Sequence, residues 1–114
     1  MITPVEQTTL TILEASTNAL SPADIHKVMK AVTSATFTLS SIFIAIDKMN
    51  KRGWVTSDLI ERTYPDKVRK IKVYLIAEAG CRVLSDMRQH QANLSKTKPK
   101  WSRIFADALK TVLP

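Results

Sequence analysis

Reactive side chains are sparse in this 114-residue chain, and their spacing argues against catalysis. His26 and His90 are the only histidines, and neither stands in a His-Glu-x-x-His pattern. Cys81 is the only cysteine, so no internal disulfide and no cysteine-based zinc cluster can form within one chain. Folding without a metal or cofactor is the expectation. The two glycines, Gly53 and Gly80, lie too far apart to make a phosphate-cradling loop. Asp58 and Glu61 come nearest to a carboxylate pair, yet they sit in a strand-like run followed by basic residues, which reads as charge balance on a hairpin. Cys81, early in a helix, would serve as a redox sensor only with a lowered pKa; packing as a small hydrophobe is the ordinary role of such a residue. An enzyme is not expected.

The group that does recur in a useful pattern is the cation. The net charge is +7 with a pI near 9.8, which favours a polyanionic partner, either nucleic acid or an anionic membrane surface. Between Lys67 and Arg103 ten basic residues stand against two acidic ones, Glu78 and Asp86. Charge runs are most often solvated faces, so placement must decide. No run approaches the ~18 apolar residues of a membrane span, and Met1-Ile-Thr-Pro-Val-Glu6 lacks the basic start and apolar block of a signal peptide. A soluble, cytoplasmic protein with no membrane partner is expected, and its length fits one domain on the usual scale of ~100–200 residues.

Periodicity supplies the elements that would position those charges. Leu39, Ile42, Phe43, Ile46 and Met49 fall on one face of a helix, with Ser41, Ile44, Ala45, Lys48, Lys51 and Arg52 pointing elsewhere. Ser40 or Ser41 can cap its start, and Gly53 supplies the left-handed stop. Two helices precede it: Val5 to Asn18, blurred by threonines but with Pro4 suited to a first turn, and Ser21 to Met29, opened by an N-cap serine, Pro22 and Asp24. Ala31 to Thr38 is hydroxyl-rich and suits a turn. After Gly53, Trp54 to Glu61 has strand propensity, and Lys70 to Ile76 alternates with Ile71, Val73 and Leu75 on one side and Lys70, Lys72 and Tyr74 on the other. The polar stretch Arg62 to Arg69 between them carries the turn signal Pro65-Asp66. Helix resumes from Ala77 to about Leu94, with Ile76, Ala79, Val83, Leu84 and Met87 inward, and ends at the basic link Ser95-Lys-Thr-Lys-Pro-Lys100. Trp101, Ile104, Phe105, Ala108, Leu109 and Val112 form the cleanest apolar stripe. The predicted class is α+β, mainly α: a winged helix-turn-helix in the order α-α-α-β-β-α with an extra C-terminal helix, divided into residues 1–94 and a basic linker plus terminal helix at 95–114.

Ser41-Ile-Phe-Ile-Ala-Ile-Asp-Lys-Met-Asn-Lys-Arg-Gly-Trp-Val55 resembles, without a gap, the third-helix signature of PadR-like winged-helix transcriptional regulators. Lys72-Val-Tyr-Leu-Ile-Ala-Glu-Ala-Gly80 resembles the family's wing exit, and Asp24-Ile-His-Lys-Val-Met29 its second helix. The likeness spans about Thr9 to Leu94 and is loosely shared with MarR-like proteins. It departs where Phe43 replaces a tyrosine, Ile44 a proline, Pro22-Ala23 a Gly-Tyr pair and Ala77 an N-cap threonine. The resemblance implies a bacterial homodimer joined through C-terminal helices on a palindromic operator, commonly a repressor released by a small-molecule effector or stress signal. The Trp101 to Val112 stripe is consistent with dimerisation, since a long apolar face needs burial; the rival is that the helix folds back on its own domain.

On this reading Ser40, Ser41, Ile44 and Lys48 are candidates for base edges of double-stranded DNA in the major groove, with Ile44 suited to a thymine methyl. Lys27, Lys30, Lys51 and Arg52 suit phosphates, as do Arg62, Lys67, Arg69, Lys70 and Lys72 on the wing, fixing register rather than sequence. No arginine occupies the first two turns of the third helix, so the commonest guanine contact is missing. The alternative is a winged-helix module for protein contacts, an adaptor without specific DNA binding, which would account for the apolar Ile44 and Trp54.

Overall fold

A computed structural model describes residues 2–32, 37–94 and 101–113. The elements are α1 (Pro4–Ala15), α2 (Pro22–Val32), α3 (Leu39–Lys51), β1 (Val55–Tyr64), β2 (Lys67–Ile76), α4 (Glu78–Leu94) and α5 (Trp101–Val112), the predicted order. Helix α1 is the hub and packs against every other helix and β2. Its start is fixed by a capping box: the Thr3 hydroxyl accepts from the Glu6 N–H while the Glu6 carboxylate accepts from the Thr3 N–H. Two of the threonines that blur its pattern, Thr9 and Thr11, are buried with it. Thr11 is satisfied by donating to the Gln7 carbonyl at 2.8 Å, and Thr9 is enclosed by the core.

Helix α2 is capped in the same reciprocal way by Ser21 and Asp24, as its sequence suggests. Helix α3 starts differently from expectation. Thr38, not Ser40 or Ser41, is the N-cap, its hydroxyl accepting from the Ser41 N–H. Its buried face also differs: Ile42, Ala45, Ile46 and Met49 are inward, while Leu39 and Phe43 are exposed. Four consecutive members of an i, i+3, i+4, i+7 set are enough to seat the helix, and small Ala45 lets it approach α1 and α2 closely. The C-terminus is as expected, with Gly53 at φ +78°. Trp54 N–H reaches the Met49 carbonyl and Gly53 N–H the Asn50 carbonyl, the paired bonds of a Schellman stop.

The hairpin is longer than its propensities suggest. Both strands run ten residues, so Arg62 to Tyr64 and Lys67 to Arg69 are paired strand and only Pro65-Asp66 is turn. Its base alone is embedded: Val55, Val73 and Tyr74 are buried, whereas Leu75 is exposed, so burial does not follow the one-sided alternation expected for β2. Tyr74 is drawn in because Leu20, in the α1–α2 loop, makes both backbone hydrogen bonds with it, at 3.0 and 2.8 Å. Burial first, and then the Asp47 carboxylate, raise the Tyr74 phenol above its ordinary pKa.

Helix α4 inserts Leu84 into the core, with Ala79, Val83 and Met87 half-buried. Gly80 faces the chain at Trp54, where a Cβ would lie 2.3 Å from the carbonyl oxygen. Helix α5 folds back against α1 and α2 of its own chain. Phe105 is buried in the common core, and Ala108, Leu109 and Leu113 pack against that core. Of the two alternatives for the stripe, its described part takes the fold-back one in this chain: Phe105 lies in the common core, leaving Ile104 exposed and Val112 half-buried. The described part of the 95–114 segment thus joins the core of the first 94 residues. The linker 95–100 and the Trp101 side chain lie outside the described residues.

Candidate nucleic-acid interface

Helix α3 presents its outer side free of the core. Ser40, Ile44 and Lys48 are all exposed there, and Lys48 has no carboxylate partner among the described residues. Ser41 is only half-exposed, its hydroxyl held 2.9 Å from that of the cap residue Thr38. Leu39 and Phe43 extend this side toward the helix start, a group missed in the sequence because both fit the periodicity of a buried face. Outward cations flank the helix. Lys27 and Lys30 are exposed on α2, while Lys51 pairs with Asp47 across one turn at 3.1 Å. Such a solvated pair contributes at most about 0.5 kcal/mol, so Lys51 is readily released to another anion.

Besides Lys51, two more of the expected phosphate contacts have carboxylate partners. Arg52 donates to the buried Glu6 carboxylate at 2.7 Å and lies 5.0 Å from the centre of the Trp54 ring. Arg62 meets both Asp24 oxygens, at 3.4 and 3.2 Å, and so ties β1 to the start of α2. Desolvation raises the Asp24 pKa, but the hydrogen bonds from Arg62 and from the Ser21 backbone outweigh it and hold the carboxyl below its ordinary value. The hydrogen bond to Asp24 likewise raises the Arg62 guanidinium. Sequence separation hides both pairs, since each joins residues tens of positions apart.

On the wing Lys67, Arg69, Lys70 and Lys72 are exposed. Strand pairing sorts them: Lys67 and Arg69 share the Arg62 face, and Lys70 and Lys72 occupy the other, opposite Glu61 and Leu59. A two-stranded ribbon therefore carries cations on both sides, and one duplex surface meets one pair at a time. Among the described residues no cluster of side chains suits a metal ion, and no helix is long and apolar enough to cross a membrane.

Three core helices, a capped third helix with an outward polar side and a hairpin beside it define a winged helix-turn-helix. The chain has a PadR-like winged-helix fold. It is similar to the crystal structure of a PadR family transcription regulator from hypervirulent Clostridium difficile, with a TM-score of 0.67 at 16% identity over 81% of this chain and 91% of that one. It is also similar to a protein of Thermoplasma acidophilum assigned as a transcriptional regulator, with a TM-score of 0.60 at 28% identity over 92% of this chain and 90% of that one. The sequence matches no protein-family model and no curated protein.

Proposed function

We propose that the protein is a double-stranded DNA-binding transcriptional regulator, acting as a homodimeric repressor. The observation that carries this reading is the exposed face of α3 with Ser40, Ile44 and Lys48, flanked by outward Lys27, Lys30 and the wing lysines. A helix of this exposure fits the major groove, Ile44 meets a thymine methyl, Lys48 reaches a base edge or phosphate, and the wing grips backbone. The fold shared with the regulators above supports it. With Arg52 and Arg62 engaged inside the protein, the phosphate contacts reduce to Lys27, Lys30, Lys51 and one of the two wing pairs, Lys67 with Arg69 or Lys70 with Lys72. The dimer follows from the need to place two α3 helices about 34 Å apart on a two-fold site. With Phe105 inside its own core, the second copy meets other surfaces, among which exposed Ile104 is an apolar candidate.

A specific observation favours a second reading. Leu39, Phe43 and Ile44 are 37, 53 and 58% exposed on one helix, an apolar patch suited to a protein partner. Fluorescence anisotropy across a salt series separates the two, using the duplex upstream of the protein's own gene and a scrambled duplex of equal length. The regulator binds the native duplex at least about a hundredfold more tightly and with a steep salt slope. Equal, weak binding to both duplexes assigns the face to protein contacts instead.

A further inference from the structure

A two-stranded ribbon has two outer edges, and in this chain they differ. The edge of β2 is closed at its base by Leu20, which bonds Tyr74 through both its N–H and its carbonyl, and the strand carries Lys67, Lys70 and Lys72 along the rest of its length. Lysine on an edge strand is a common guard against pairing with another chain. The edge of β1 has no lysine, proline or bulge, and its ten residues pair one for one with β2 from Val55 to Tyr64. Strand alternation identifies the backbone groups left over. Tyr74 turns its N–H and carbonyl away from β1 to Leu20, so Ser57, opposite Tyr74, turns its own away from β2, and every second residue follows: Leu59, Glu61 and Thr63. All four are exposed. The Leu59 N–H agrees with this sorting, since it donates at 2.8 Å to the neighbouring Asp58 carboxylate rather than across the ladder. Leu59 and Ile60, 59 and 37% exposed, add apolar side chains to the same edge.

We propose that the outer edge of β1 pairs antiparallel with the β1 edge of a second copy, centred on Ile60, into a four-stranded sheet in the order β2-β1-β1-β2. Charge selects both the edge and the register. Pairing through β2 would set its four cations against their own copies, whereas β1 carries both signs, Asp58, Glu61 and Arg62. A two-fold contact that keeps the faces of the sheet aligned is centred on one residue, which then meets itself. Centring on Asp58, Glu61 or Arg62 sets like charges face to face, which is destabilising. Centring on Leu59 opposes Asp58 to Ile60 and leaves it without a cation. Centring on Ile60 joins the two isoleucines, opposes Asp58 to Arg62 on both sides of the axis and sets Thr56 against Tyr64. The outward backbone groups then meet as Leu59 with Glu61 and Ser57 with Thr63, each pair exchanging both of its hydrogen bonds. Asp58 releases the Leu59 N–H to the facing Glu61 carbonyl and turns to the guanidinium. Arg62, bonded to Asp24 with 37% of its side chain exposed, has donors to spare for it. The lysines of β2 stay on the two outer strands, apart from one another.

Amide hydrogen exchange on the native full chain, followed by NMR in dilute and in concentrated protein, reads the edge directly. The amides of Ser57, Leu59, Glu61 and Thr63 exchange about tenfold or more slowly in the concentrated sample, while those of Asp58 and Ile60, already bonded to β2, set the reference. The inference stands apart from the DNA reading, and no duplex is present. Cysteine cross-linking reads the register. In a Cys81→Ser background, Ile60→Cys forms a disulfide-linked dimer at least about tenfold faster than Asp58→Cys, because facing residues of a non-hydrogen-bonded pair lie about 4.5 Å apart, within disulfide reach. Asp58 stands four positions along the strand from its own copy, roughly 13 Å, beyond that reach. Circular dichroism melts check that the cysteine variants remain folded, and exchange on the native chain decides alone if they do not. Unchanged exchange at the four amides, slowing shared equally by every amide of the ribbon, or cross-linking of Ile60→Cys no faster than that of Asp58→Cys overturns the proposal.

Discussion

Glu6 and Arg52, 46 positions apart, meet at 2.7 Å, and the carboxylate that receives the guanidinium also caps the first helix. One buried acid therefore holds both the start of α1 and the end of α3. The exposed face of α3 is set in place from behind by this link, since α3 cannot rotate about its axis without stretching it.

Removing that acid should be costly. Glu6→Ala loses a cap and a charge-assisted hydrogen bond, and destabilises the fold by about 2–4 kcal/mol in urea denaturation. Glu6→Gln keeps the shape and part of the capping bond and falls between the two. An unchanged midpoint in Glu6→Ala would show the contact to be incidental.

Asp24 gives the fold an acid limit. Its carboxyl is held below the ordinary pKa in the folded state, so its stabilising contribution is complete above about pH 4, the unfolded value, and is lost as pH falls through the lower folded value. Asp24→Asn is expected to be less stable than the parent at pH 7 and to converge toward it below about pH 4. Parallel stability curves for the two proteins from pH 7 to pH 3 would rule out this assignment.

Gly80 leaves no room for a methyl group. A Cβ there lies 2.3 Å from the Trp54 carbonyl oxygen and 2.9 Å from Ile76 Cγ1, and backbone cannot step aside as a flexible side chain can. Gly80→Ala should cost at least about 1–3 kcal/mol despite the higher helix propensity of alanine. A more stable variant in thermal melts would contradict the close crossing.

Phe105 tests how α5 is held. Phe105→Ala opens the shared core and should cost about 3–5 kcal/mol. Because the contact lies within one chain, the loss is the same in dilute and concentrated protein. A penalty that grows with dilution would place the phenyl ring between copies instead.

Local signals carried the element order, because caps, stops and turns act over a few residues. Ser21-Pro22, Gly53 and Pro65-Asp66 mark their boundaries by backbone chemistry that any neighbourhood must respect. Phe43 and Ala45 show where periodicity loses resolution: two stripes turned by one or two positions fit the same residues, and the larger side chain invites the wrong choice. Arg52 and Arg62 illustrate a different gap. Their charge suggests a phosphate, and only the folded chain brings Glu6 and Asp24 beside them. Amphipathicity in α5 likewise demanded a covering surface without naming whose it was.

The hairpin of two ten-residue strands behaves mechanically as a lever. It is clamped by Leu20 at Tyr74 and braced by Asp24 at Arg62, with Pro65-Asp66 at the free end. At about 3.3 Å per residue each strand reaches roughly 30 Å, so a tilt of about ten degrees at the clamp swings the tip by roughly 5 Å. Anything that loosens the Asp24 brace thus moves Lys67 and Arg69 much farther than it moves the core, and a reporter placed at Asp66 would read that motion amplified.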